Sequence, residues 1–162
     1  MSAVLLYHQF NDKQTSKTLK TFNSMKRTAS AIWNGTIKEG SGNITTQSTV
    51  LNKTQYSFNS RFAEGVGTNP EELMAAAHAG CFNMKLTLDL EAAGYKADTL
   101  ETTAAVTLDN GTITRSDLVL KAKVPGITNE QFQEIAAGAK AGCPVSRAYA
   151  AIEISLQAEL VG

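Results

Sequence analysis

The sequence predicts an α+β fold from three observations. A group of short Thr- and Ser-rich strands comes first, one long apolar helix fills the middle, and a strict two-residue alternation takes over after Gly94. The resulting order is N-terminal antiparallel strands, long central helix, β-hairpin, helix, short helix and C-terminal strand. A chain of 162 residues fits one such domain and can bury about two-thirds of its unfolded surface.

The front strands are expected over residues 27–33 (RTASAIW), 43–51 and 55–59, with Asn34-Gly35 and Gly40-Ser41-Gly42 as breaks. They carry few large apolar side chains. Such a sheet is thin by itself, so it is expected to pack on something larger, such as a partner chain. Arg61 falls at the exit of the third strand.

For the central helix, Asn69 supplies the N-cap oxygen, Pro70 suits the first helical position, and Glu72 stands where a capping box needs its acceptor. Glu71 and Glu72 face the positive end of the dipole, and Gly94 is the stop. Nearly every position from Leu73 to Leu90 is apolar or small. Leu73, Ala77, Cys81, Met84 and Leu88 recur at three- and four-residue steps, which predicts burial around much of the circumference.

Beyond Gly94, the positions Leu100, Thr102, Ala104, Val106 and Leu108 alternate with more polar ones. Asn110-Gly111 marks a hairpin whose return strand runs through Leu118, Leu120, Ala122 and Val124. Thr128 caps the next helix with Gln131 as box partner and Phe132, Ile135, Ala136 and Ala139 as buried stripe. A short helix from Cys143 to about Tyr149 and a half-buried strand from Ile152 to Leu160 close the chain.

Residues 1–24 stand apart as a disordered or loosely attached leader before a single domain over residues 25–162. The alternative is an arm that docks on a partner subunit through Val4, Leu5, Leu6, Tyr7 and Phe10. The apolar piece at residues 3–6 is too short for a secretory signal, and no apolar run approaches the roughly 20 residues of a membrane span. With two cysteines, this points to a reducing, cytoplasmic compartment. Fifteen basic and fifteen acidic side chains exclude nucleic acid or an anionic membrane held by bulk charge.

Cys143 precedes Pro144 at a helix start and reads either as a thiol that unpaired N–H groups and the dipole turn towards thiolate, or as a cysteine tolerated as a poor cap. Cys81 lies on an apolar helix face and reads either as packing or as a nucleophile. His78, one turn before it, is either its catalytic base or a histidine bonded to backbone or solvent. Spacing does not say whether the two sulfurs meet. The cysteines and histidines match no zinc spacing, and no glycine-rich nucleotide loop, G-x-S-x-G or C-x-x-C occurs, so no cofactor or metal is expected. A Cys81/His78 hydrolase or acyl transferase therefore stays open, as does a non-enzymatic stress protein holding a lipid-like ligand.

The segments AIWNGTIKEGSG, NSRF (residues 59–62), GTNPEELMAAAHAGCF (67–82) and KAGCPVS (140–146) resemble the OsmC/Ohr family of thiol peroxidases. The last favours its OsmC branch. The resemblance covers residues 25–160 and implies an OsmC-like fold in an intertwined homodimer, with two active sites at the interface. It implies that Cys81 is the peroxidatic cysteine, Cys143 the resolving cysteine, Arg61 the stabiliser of the thiolate, and Glu71 the carboxylate that orients Arg61. It further implies organic hydroperoxides as substrates and an external dithiol, lipoyl or thioredoxin-like, as reductant. His78 has no role in that pattern. Glu71 and Cys81 are ten residues apart on one helix, about 15 Å of rise, so their site is more easily assembled across two chains.

Overall fold

The computed structural model describes residues 24–161, so the expected leader lies outside the described residues apart from Ser24. Strands β1 (Ala29–Asn34), β2 (Ser41–Thr46) and β3 (Thr54–Ser57) form an antiparallel sheet in the order β1-β2-β3. Two of these strands end earlier than expected. β2 stops at Thr46 because the Thr46 hydroxyl and backbone turn back on Leu51, at 3.2 and 2.9 Å, and Thr49 adopts a left-handed φ of 61°. β3 stops at Ser57 because Ser57 and Ser60 cap one another reciprocally, each backbone N–H donating to the other's hydroxyl at 2.9 and 3.2 Å. The helix α1 (Phe58–Phe62) follows, so Arg61 sits in a helical turn and not at a strand exit.

The central helix α2 (Pro70–Ala92) starts as expected, with the Asn69 side chain accepting the Glu72 N–H at 2.9 Å. Glu72 does not complete the capping box. Its carboxylate accepts the Thr68 hydroxyl at 2.6 Å instead, while the Asn69 amide donates to the Ser60 carbonyl and ties α2 to α1. Gly94 ends the helix with φ +86°.

Strands β4 (Thr99–Asp109), β5 (Thr112–Lys123) and β6 (Glu153–Leu160) build a second sheet in the order β4-β5-β6. Asn110 and Gly111 both take positive φ in the β4-β5 turn, as a tight hairpin requires, and the return strand begins at Thr112, earlier than the apolar pattern marks it. β6 lies parallel to β5, which demands a crossover. Helices α3 (Asn129–Gly142) and α4 (Pro144–Ala148) provide it, α3 opening on the reciprocal Thr128–Gln131 cap.

α2 and α3 lie over this sheet and close the core: Phe82, Leu86 and Leu90 from α2, Leu118, Leu120 and Ala122 from β5, and Phe132, Ala136 and Ala139 from α3. Each large side chain there contributes about 1.5–3 kcal/mol by leaving water. The buried face of α2 is therefore His78, Phe82, Leu86 and Leu90, not the stripe expected from spacing. Of that stripe, Leu73 and Cys81 are half-buried, Ala77 is exposed, and Met84 and Leu88 are 77% and 59% exposed. One sheet can cover only one side of a helix. The second apolar side of α2 faces outward, and the front sheet contributes nothing to the buried apolar core, with Ile32 and Ile37 exposed. Among the described residues no helix is long and apolar enough to cross a membrane.

Candidate active site

The first cluster joins α1 to the start of α2. Arg61 donates through Nη2 to Glu71 Oε1 at 2.7 Å and through Nε to both carboxylate oxygens at 3.2 Å. This is a forked pair, its side chains 35% and 12% exposed. The Arg61 bond holds the Glu71 carboxyl below the usual range despite burial, and the same bond holds the guanidinium pKa up. The connecting loop is fixed from inside: the Ser60 hydroxyl donates to the Thr68 carbonyl at 2.9 Å, and Gly67 takes φ +120° where a Cβ would stand 2.4 Å from the Gln55 carbonyl oxygen. Arg61 also lies over the Phe62 ring, 5.1 Å from its centroid, beside a cleft lined by Trp33, Ile37, Tyr56 and Phe58.

The second cluster joins the middle of α2 to the α3-α4 junction. Cys143 ends α3 and takes the N-cap position of α4, fully buried, and Cys81 packs from α2 against the core cluster that holds it; both are free thiols, and each shifts the other's ionisation. The two are not equivalent. Burial pushes Cys81 up, only the Val145 N–H opposes this, and the neighbouring Cys143 adds to the rise. Burial pushes Cys143 up as well, but the Ser146 N–H, the Cys81 thiol, the Ser146 hydroxyl and the Val145 N–H outweigh it, so its thiol is lowered. Within one chain Cys143 is therefore the thiol whose ionisation its surroundings favour.

His78 is fully buried between them and the sheet. Its Nδ1 pairs with the Ser116 hydroxyl at 2.7 Å and its Nε2 with the Ser146 hydroxyl at 2.9 Å, so neither of the partners expected for it, backbone or solvent, is the one it uses. Both ring nitrogens are spent on serines, which leaves none to act as base for Cys81. Sequence reasoning missed both serines. Ser116 carried a signal, because it occupies an inward position on the β5 face otherwise filled by Leu118, Leu120 and Ala122.

The four expected site residues thus fall into two pairs: Arg61 with Glu71, and Cys81 with Cys143. The structure does not bring Arg61 to Cys81 within one chain. The Phe82 and Leu86 side chains, close to Cys81 along α2, belong to the core, and Met84 is exposed.

An α+β fold that brings together two free thiols from distant elements, one of them at the N-cap position of a helix, is the frame of a thiol-based redox protein. A family model described as OsmC-like protein matches residues 63–157. The chain is 48% identical over 134 residues to the Peroxiredoxin OsmC of Escherichia coli (strain K12), covering 80% of this chain and 93% of that protein. Among solved structures it is similar to an organic hydroperoxide resistance protein from Elizabethkingia anophelis, at 28% identity and TM-score 0.64 over 86% of this chain and 99% of the other. It also shares the fold of an OsmC-like protein from Mycoplasma pneumoniae, with TM-score 0.69 at 13% identity, 86% of this chain and 99% of the other being covered. The chain belongs to the OsmC-like family, and it is a thiol peroxidase.

Proposed function

We propose that this peroxidase reduces organic hydroperoxides to alcohols through Cys81, with Cys143 closing the cycle. The observation that carries the reading is the pairing of the two thiols, far apart in the chain, at the start of α4. The Cys81 thiolate attacks the O–O bond, an alcohol leaves, and Cys81 becomes a sulfenic acid. Cys143 then displaces hydroxide from that sulfur, forming the disulfide and sparing Cys81 from sulfinic acid. An external dithiol, lipoyl or thioredoxin-like, restores both thiols by exchange. The aromatic cleft beside Arg61 suits an organic substituent better than a bare peroxide.

The peroxidatic site is assembled from two subunits. Arg61 and Glu71 sit near the start of α2, about 15 Å of helix rise from Cys81. An antiparallel crossing of two α2 helices, burying Met84 and Leu88, carries Arg61 and Glu71 of one subunit to Cys81 of the other. The guanidinium then supplies the positive charge that Cys81 lacks in the single chain and can hold the peroxide oxygen. The same pairing gives the front sheet a surface to cover. We place the domain over residues 25–162 and the enzyme in the cytoplasm, where such thiols stay reduced.

The test is one equivalent of an organic hydroperoxide added to the reduced protein and to Cys143→Ser. The expected result is loss of both thiols as an internal disulfide in the first and a trappable sulfenic acid at Cys81 in the second. Two unreacted thiols in the first would refute the assignment.

A further inference from the structure

The proposed cycle leaves His78 without a part, yet it is the central member of a buried polar chain. Ser116 comes from β5, His78 from α2 and Ser146 from α4, and all three are almost entirely removed from water. The chain ends beside a reactive group, because Ser146 stands in the first turn of α4, three residues after the N-cap Cys143, and His78 itself lies one turn before Cys81 on α2. Tyr149 packs its edge on the imidazole, 5.4 Å between centroids, and donates to the Met74 carbonyl, which fixes the ring from the remaining side.

Counting hydrogens gives this chain a direction. A neutral imidazole carries one N–H and each serine one O–H. Burial favours the neutral ring. If Nδ1 carries the hydrogen, Nε2 must accept from Ser146, whose only hydrogen is then spent, and Cys143 can do no more than donate its own S–H to the serine oxygen. If Nε2 carries it, Ser116 donates to Nδ1, Nε2 donates to Ser146, and the Ser146 hydrogen is free for the sulfur. The first pattern fits a Cys143 thiol and the second a thiolate. Only the second uses every hydrogen of the three residues, because in the first the Ser116 hydroxyl hydrogen has no acceptor among the described residues.

Resting on the peroxidase reading above, we propose that His78 is a positioning residue for the resolving step: clamped between Ser116 and Ser146, it presents the Ser146 hydroxyl as a donor to the Cys143 sulfur. The step is balanced. Cys143 loses its proton, its sulfur attacks the sulfenic sulfur of Cys81, the S–S bond forms as the S–O bond breaks, and the departing hydroxide takes up a proton to give water.

The experiment titrates the Cys143 thiolate by its ultraviolet absorbance in Cys81→Ser protein, where one thiol remains. His78→Leu and Ser146→Ala are each expected to cut the thiolate fraction near neutral pH about tenfold, the effect of losing one hydrogen bond to a charged group. The double variant is expected to lose no more than either single one, because both act through the same hydrogen. His78→Gln, which can still donate to Ser146, is expected to restore most of the loss. An unchanged titration in His78→Leu, or independent losses in the double variant, would overturn the proposal. Should His78→Leu fail to fold, Ser116→Ala frees the other ring nitrogen, with an expected loss of about threefold; an unchanged titration there would overturn it equally. Failure of the peroxidase reading looks different: thiols of the unmodified protein would survive hydroperoxide while these titration shifts remained.

Discussion

Replacing Glu71 with glutamine removes one charge and one acceptor oxygen from the fork that holds Arg61. The fork consists of three contacts, one at 2.7 Å and two at 3.2 Å, and a glutamine amide would turn its own N–H groups against the guanidinium. The stability at stake is modest. Arg61 is about a third exposed, so solvent screens the pair, and the expected loss in a denaturant titration is about 1 kcal/mol. The stability has a pH signature. Because the folded-state pKa of Glu71 is depressed, the contribution is present above the ordinary carboxylate value of about 4.3 and is lost as pH falls through the folded value. Acid-induced unfolding of Glu71→Gln should therefore converge with that of the parent at the lowest pH.

The catalytic loss should be much larger than the stability loss. An Arg61 freed from Glu71 samples other rotamers, and a displacement of about 1 Å in a positioned group costs up to about a hundredfold in rate. Stopped-flow measurement of hydroperoxide consumption should show that drop in Glu71→Gln. In an Arg61→Met background the same substitution should change the rate by less than about twofold, since Glu71 then has nothing to orient. Equal losses in the two backgrounds would refute the reasoning and give Glu71 a role independent of Arg61.

Three further outcomes are expected. Phe82→Ala opens a cavity in the fully buried core and should cost about 3–5 kcal/mol in urea unfolding with an unchanged slope. Gly67→Ala combines a φ of +120° with a Cβ 2.4 Å from the Gln55 carbonyl, so it should cost about 2 kcal/mol or more in thermal melts and lower peroxidase activity by shifting the Arg61 loop. Met84→Lys with Leu88→Lys should weaken the proposed dimer by about tenfold or more in sedimentation experiments and lower activity in step, like charges then meeting across the proposed crossing; a fully active dimer would place the interface elsewhere.

The sequence was most legible where local chemistry decides structure. Asn69 and Thr128 start their helices, Gly94 ends one, and Asn110-Gly111 turns the hairpin. It was least legible where side chains bond back to their own loop, as Ser57 with Ser60 and Thr46 with Leu51 do, because a Ser- and Thr-rich run reads as strand until those bonds form. The face of α2 was misjudged for a different reason. Apolar residues surround the helix, so periodicity could not say which side meets the sheet; His78, a polar residue, turned out to lie on the buried side, because two serines from β5 and α4 satisfy it. Such pairing across elements leaves almost no trace in spacing.

The same ambiguity explains the divided site. A helix apolar on two sides is suited to serve two cores, its own and one shared with a second copy. In the single chain Cys81 has burial against it and one N–H in its favour, while Cys143 has the start of α4 and the Ser146 hydroxyl. Left alone, the pair ionises more readily at the sulfur that the proposed cycle uses second. A guanidinium brought to Cys81 from the opposite subunit would move that charge to the sulfur that must react first, since an adjacent cation favours a thiolate far more than one further backbone donor does. Assembly and activation are then one event. In the proposed cycle, once Cys81 has spent its charge on the peroxide, the start of α4 again favours ionisation of Cys143, so the order of the two sulfur reactions would follow from which helix end or side chain faces each sulfur.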